Sequence, residues 1–300
     1  MRAPGGPLAE RLAGAPISWG VCEVPGWGVM LPPERVLAEM RALGLRASEL
    51  GALGYLGEEP GEIRDLLGRF DLGAVGGFVP VVIHDKGARG QLREAAERAA
   101  TLLSGSGGTY FVTAAVVDEE WSEPGELTAA EWDAAAEGLD IVEEICAAHG
   151  LVQVLHPHVG TIVELAAHLE EVLQRSRVAW CLDTGHLAIG GADPVAFAED
   201  HADTVALVHV KDVDLTLAPP VRAHEMTLLA ATKAGMFRSL GEGDVDVAGV
   251  VRVLEERGYQ GWYVLEQDTA IAPEEAAAVD PQSDVRRSVD YLLAAAGAGR

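Results

Sequence analysis

Long apolar runs, basic clusters and paired cysteines are all missing from this 300-residue chain. No stretch of about 18 consecutive apolar residues occurs, so no membrane-spanning helix is expected. The opening residues MRAPGGPLAERLAG hold no apolar segment of the kind a secretory leader needs. The three cysteines, Cys22, Cys146 and Cys181, are odd in number, far apart and form no CxxC pair. Free, mostly buried thiols in a reducing cytoplasm are the expectation. Only 22 Lys and Arg stand against 47 Asp and Glu, a formal charge of −25. The basic residues are scattered, so the chain would repel a phosphate backbone and nucleic acid is not an expected partner. Disorder is not expected either, because 49% of the residues are apolar and can bury a core.

What is present is a repeating alternation. Short apolar or β-branched runs recur near 15–20, 47–52, 74–83, 109–117, 151–158, 178–186, 204–212 and 261–268. Between them lie stretches with helical spacing. PPERVLAEMRALG places Val36, Leu37, Met40 and Leu43 on one stripe, with Pro33 suited to a first turn. Thr128 followed three residues later by Glu131 reads as a capping box. Strands that alternate with helices predict a parallel sheet. Eight such units predict an α/β fold, a single (β/α)8 TIM barrel of one domain spanning 1–300. Residues 1–13 read as a flexible N-terminal extension, and 213–240 as an insertion before strand eight. An open doubly wound sheet is the alternative. It is disfavoured because neither GxGxxG nor GxxxxGK[ST] follows the first strand.

In such a barrel the active site lies at the C-terminal mouth, so the last residues of each strand matter most. Strand two would end at Glu49. Strand five would end in His156-Pro157-His158 and strand six in Asp183-Thr184-Gly185-His186. Strands seven and eight would end in His209-Val210-Lys211-Asp212 and Glu266-Gln267-Asp268. Residues two apart on a strand share a face, so His156 goes with His158, and His209 with Lys211. Charged and imidazole groups closing apolar runs need partners, and a divalent metal satisfies such a crowd. Carboxylates mixed with imidazoles suit Mn, Co, Fe or Zn better than Ca. Each residue also has a plainer reading: a hydrogen-bonded structural histidine, an Asp cap, a solvent-facing Glu. All of these would have to hold together in four successive strands. His84, His149, His168, His201 and His224 read as structural, and Lys86 as a surface residue.

The segments APISWGVCEVPGWG, SELG, HPHVGT, CLDTGH, HVKD, SLGEGDVD and GYQGWYVLEQD occur in that order. Over about residues 14–296 the set resembles the sugar-phosphate isomerase/epimerase superfamily of xylose-isomerase-like barrels. Within it, the inosose (2-keto-myo-inositol) dehydratases are the most similar. The resemblance implies one divalent metal, Mn or Co, with Zn, Fe or Mg also compatible. Its ligands would be Asp183, His209 and Glu266, with His156 fourth where many relatives read Glu-x-His. It further implies Glu49, His158, His186, Lys211 and Arg238 at the substrate and Trp19 as an apolar wall. Base and acid candidates are Glu49, His158, His186 and Glu266, with Lys211 as electrostatic support. The implied activity is a metal-dependent hydro-lyase acting on a keto-cyclitol or keto-sugar. Its steps would be α-proton abstraction, a metal-stabilised enediolate and loss of the β-hydroxyl. The alternatives are a keto-sugar epimerase or aldose–ketose isomerase, an endonuclease-like relative, and a non-catalytic binder. The endonuclease-like reading is opposed by the acidic charge. The expected partner is a small molecule, with no membrane, and a homo-oligomer is left open.

Overall fold

A computed structural model describes residues 4–22 and 24–298. Its strands are β1 (Leu12–Gly14), β2 (Ala47–Ser48), β3 (Gly73–Ala74), β4 (Gly76–Val81), β5 (Tyr110–Ala115) and β6 (Val152–Leu155). They continue with β7 (Ala179–Asp183), β8 (Val205–Val210), β9 (Asp212–Val213), β10 (Phe237–Arg238) and β11 (Tyr263–Leu265). Nine of them form one parallel sheet in the order β3-β2-β1-β11-β8-β7-β6-β5-β4.

The two end strands of that order are halves of one strand, interrupted only at Val75. Val75 N–H donates to Ser48 O, while Val75 O accepts from both Thr109 and Tyr110 N–H. Each face of the break therefore bonds a different neighbour, and the sheet closes on itself. Eight positions around a closed parallel sheet make the expected (β/α)8 barrel.

The barrel interior is filled by one small set of side chains: Ala13, Ala47, Val75, Val112, Val154, Cys181, Leu207 and Val264, with Ala15 and Tyr110. Every strand position contributes, so the cylinder is packed rather than hollow. A far larger apolar cluster lies between strands and helices. The helix at Ala129–Ala148 begins with the predicted box, in which Thr128 N–H donates to Glu131 Oε2 at 2.7 Å. Such a cap contributes about 1 kcal/mol.

Two expectations are corrected. The first strand runs over Leu12–Gly14, and PISW within the predicted 15–20 strand forms a turn of 3-10 helix instead. Pro16 and the glycine at 20, with φ of 80°, suit a turn better than a ladder. Residues 8–13 are accordingly no extension. Arg11 is buried, with its guanidinium on Glu255 at 2.6 Å and on the carbonyls of Tyr259 and Gly261. Of the predicted extension, residues 1–3 lie outside the described residues. The insertion over 213–240 is present. It carries helical turns at 215–222, a helix at Leu228–Lys233 and an antiparallel ribbon of β9 with β10.

Candidate active site

Two residues beyond the apolar layer, the strands turn polar. The period of two puts Glu49, His156, Asp183, His209 and Glu266 over Ala47, Val154, Cys181, Leu207 and Val264. All five are buried. Asp183 is paired in register with His209 on the adjacent strand.

The contacts form a single network. His209 Nε2 lies 2.9 Å from Glu49 Oε1, and its Nδ1 lies 3.3 Å from Glu266 Oε2 and 3.8 Å from Asp183 Oδ2. His156 Nε2 meets Asp183 Oδ2 at 3.3 Å. Lys211 Nζ, 2% exposed, reaches Asp183, Glu266 and Asp268 oxygens at 3.4, 3.0 and 2.9 Å. It also donates to His186 Nε2 at 3.2 Å. His158 packs against His186 with ring centres 4.0 Å apart.

Charge sets the protonation states. Burial opposes a charge on Lys211, but Asp183, Asp268 and Glu266 hold its ammonium well above the ordinary lysine range. Burial likewise opposes charge on His209, which Cys181, Glu266 and Glu49 hold well above the histidine range. Burial would raise Asp183, yet Lys211 and His156 bring it down to about 2. Glu266 is held well below the carboxylate range by His209 and Lys211 against its burial. Asp268 is pushed up to about 6 by burial, despite Lys211 beside it. His158, half-buried at the cavity wall, is lowered to about 3 by burial and then by His156 and Lys211. Burial also keeps His156 and His186 neutral.

Glu49, Asp183, Glu266 and Asp268 are four buried carboxylates facing only Lys211 and a charged His209. About two negative charges are left over, and buried charge without a partner is costly. Glu49, His209 and Glu266 each offer one donor atom within 4.8 Å of the others. Nδ1 of His156 and of His209 makes no hydrogen bond among the described residues. His209 would give up its extra proton to become a ligand, and a divalent cation would replace that charge and offset the carboxylates that remain.

The network floors a cavity of about 370 Å³. Trp27, Phe78 and Trp121 supply its apolar wall, and Phe78 and Trp121 stack with planes 9° apart. Trp121 holds a left-handed φ of 57°, fixed by Asp118 Oδ1, which accepts from Glu120 and Ser122 N–H. Val221, Met226 and Leu228 of the insertion roof the cavity. The insertion is fastened twice. At its root Asp212 accepts from the N–H groups of Val213, Gly241, Gly243 and Val245. At its edge His224 Nε2 meets buried Glu164 Oε1 at 3.0 Å, while Glu164 Oε2 accepts from Gly160 N–H.

Glu49, His156, His158, Asp183, His186, His209, Lys211 and Glu266 are thus brought together as expected. Trp19 is not a cavity wall. It is fully buried, with Nε1 donating to Glu39 Oε2 at 2.6 Å, because the turn at 16–19 rotates it into the core. Trp27 takes the wall position. Arg238 is not at the substrate cavity. It sits on β10, exposed, 3.2 Å from Asp214. His224, read as structural, lines the cavity, whereas Lys86 lies on the surface against Glu137 as expected. The sequence reading placed Asp268 at the end of strand eight but gave it no role, although the alternation rule puts it on the face of Glu266 two residues before.

Comparison with known proteins agrees with the barrel fold. The chain is 30% identical over 299 residues to a protein named inosose dehydratase from Geobacillus kaustophilus (strain HTA426), covering 95% of this chain and 96% of the relative. A structure of L-ribulose 3-epimerase superposes with a TM-score of 0.72 at 18% identity, covering 97% of this chain and 95% of its own. A structure of the IolI protein with a bound zinc atom superposes at 0.70 and 12% identity, covering 97% and 99%. These two show the shared fold. The family model of the xylose isomerase-like TIM barrel matches residues 25–293, and the chain belongs to that family.

Proposed function

We propose that the protein is a metal-dependent hydro-lyase that removes water from a keto-cyclitol or a related keto-sugar. The observation that carries this reading is the imidazole of His156 at the rim of β6, where an epimerase of this barrel would need a second carboxylate across from Glu266. Similarity to a protein named inosose dehydratase over nearly the whole chain supports it. The cavity volume suits one six-membered ring.

His156, Asp183, His209 and Glu266 would hold the cation, in keeping with the uncompensated charge around them. When bound, a divalent cation withdraws electron density from a chelated carbonyl and hydroxyl and so acidifies the neighbouring C–H. The apolar wall of Trp27, Phe78 and Trp121 takes the C–H face of the ring, leaving its hydroxyls toward the polar floor. His158 Nδ1 lies 2.7 Å from the Val159 carbonyl and so carries the ring proton. Its Nε2 keeps a lone pair, and with a pKa near 3 the ring is a neutral acceptor at physiological pH. Glu49, just past β2, is the other base candidate. Lys211 is held too firmly charged to act as an acid and serves as a fixed positive charge. Asp268, at about 6, is the carboxyl able to hand a proton to a departing hydroxyl near neutrality.

The test is to incubate the metal-loaded protein with 2-keto-myo-inositol and follow the dione chromophore. Its appearance, with release of water, supports the hydro-lyase. Deuterium entering recovered substrate from solvent without water loss would instead favour an epimerase.

A further inference from the structure

A second donor set lies beneath the carboxylates. Cys181 Sγ and one ring nitrogen each of His156 and His209 lie within 4.8 Å of one another. All three side chains are sealed off, at 0%, 2% and 1% exposure. Strand register explains the convergence. Cys181 and Asp183 are two apart on β7 and face the same interior, and Cys181 pairs with Leu207 while Asp183 pairs with His209. The thiol therefore sits one layer below the carboxylate, under the two rings. His156 keeps an Nδ1 that makes no hydrogen bond among the described residues, an uncommon and costly feature in a buried ring, while Nδ1 of His209 meets only the Glu266 and Asp183 oxygens at 3.3 and 3.8 Å. The other interior side chains at this depth are apolar, such as Val154 and Val264, so packing alone does not call for sulfur.

We propose that His156, Cys181 and His209 form a soft-donor seat for a thiophilic divalent cation, of the zinc, cobalt or cadmium class, beneath the oxygen-rich seat of His156, Asp183, His209 and Glu266. This inference deepens the proposed metal centre and rests on it, because the two seats share His156 and His209. Two imidazoles and a thiolate select zinc, cobalt and cadmium over magnesium and calcium. Seating the cation breaks the Cys181 S–H bond and forms a sulfur–metal bond. The proton leaves to solvent, and no electron changes hands. Since both rings serve both seats, a thiophilic cation drawn to the sulfur competes with one held by the carboxylates. The thiol thereby sets which metals the centre accepts.

The experiment is a cobalt(II) titration of the chelator-stripped full-length protein, followed by absorption spectroscopy and equilibrium dialysis. The expected result is an intense near-ultraviolet thiolate-to-cobalt charge-transfer band in the unmodified protein. In Cys181→Ala the band is lost, while weaker visible cobalt bands persist from the oxygen-rich seat. Cys181→Ser, which keeps the volume, gives the same loss should the alanine variant fail to fold, and Cys146→Ala retains the band. Cadmium affinity falls at least ~10-fold in Cys181→Ser, while manganese affinity stays within about 2-fold. Cobalt bound without the charge-transfer band overturns the soft seat and leaves the metal centre standing. No cobalt bound at all overturns the metal centre and the soft seat with it.

Discussion

At the scale of single residues, the site is an argument about unpaired charge. Asp183→Asn removes one carboxylate from a fully buried cluster, and His209→Ala removes the ring that joins Glu49 to Glu266. Either variant is expected to lose bound metal by elemental analysis, and unchanged metal content would refute these ligands. Asp268→Asn leaves the ligands in place but frees Lys211 from its shortest ion pair. Metal content should hold while kcat falls roughly 100-fold or more, as for loss of a positioned proton donor. Eight of the site residues were readable from strand endings alone. Asp268 and Cys181 were equally readable by the same spacing, two after Glu266 and two before Asp183. Trp19 and Arg238 were not, because ring type and charge say nothing of which way a turn or a ribbon aims a side chain.

At the scale of elements, strands covered on both faces announced themselves as apolar runs, and the helix from 129 announced itself by its cap. Failures came where the chain is irregular. The first strand is three residues long and the third is broken at Val75, below the reach of any periodicity. The roof over the cavity likewise has no sequence signal beyond its length. Its edge depends on Glu164, which ties Gly160 of the β6 loop to His224 of the insertion. Glu164→Gln weakens a charge-assisted contact of about 1–2 kcal/mol, so KM should rise roughly 5–30-fold with kcat little changed. Limited proteolysis within 222–228 should speed up in parallel, and cleavage at the wild-type rate would show that the edge is held by something else.

At the scale of the whole molecule, most of the −25 charge lies outside the buried centre, which carries about two of those charges itself. Alkaline stability tests that interior. Burial pushes the Cys146 thiol from its ordinary 9 up to about 12, and the Tyr110 hydroxyl from 10 up to about 12. The folded chain keeps both protons where the unfolded chain loses them. Stability is therefore full below pH 9 and falls as pH rises through 9 to 12, by roughly 1.4 kcal/mol per pH unit for each group in its window. Thermal melting at pH 8 and pH 11 measures this, and equal melting temperatures would refute it. For the same reason iodoacetamide at pH 8 should leave Cys146 unmodified. The plugged interior has one more consequence. A cylinder stoppered at its lower end leaves its mouth as the way in and out, so whatever enters and whatever leaves take turns through it. Whatever is seated must depart before the next guest can enter, past the fastening between His224 and Glu164.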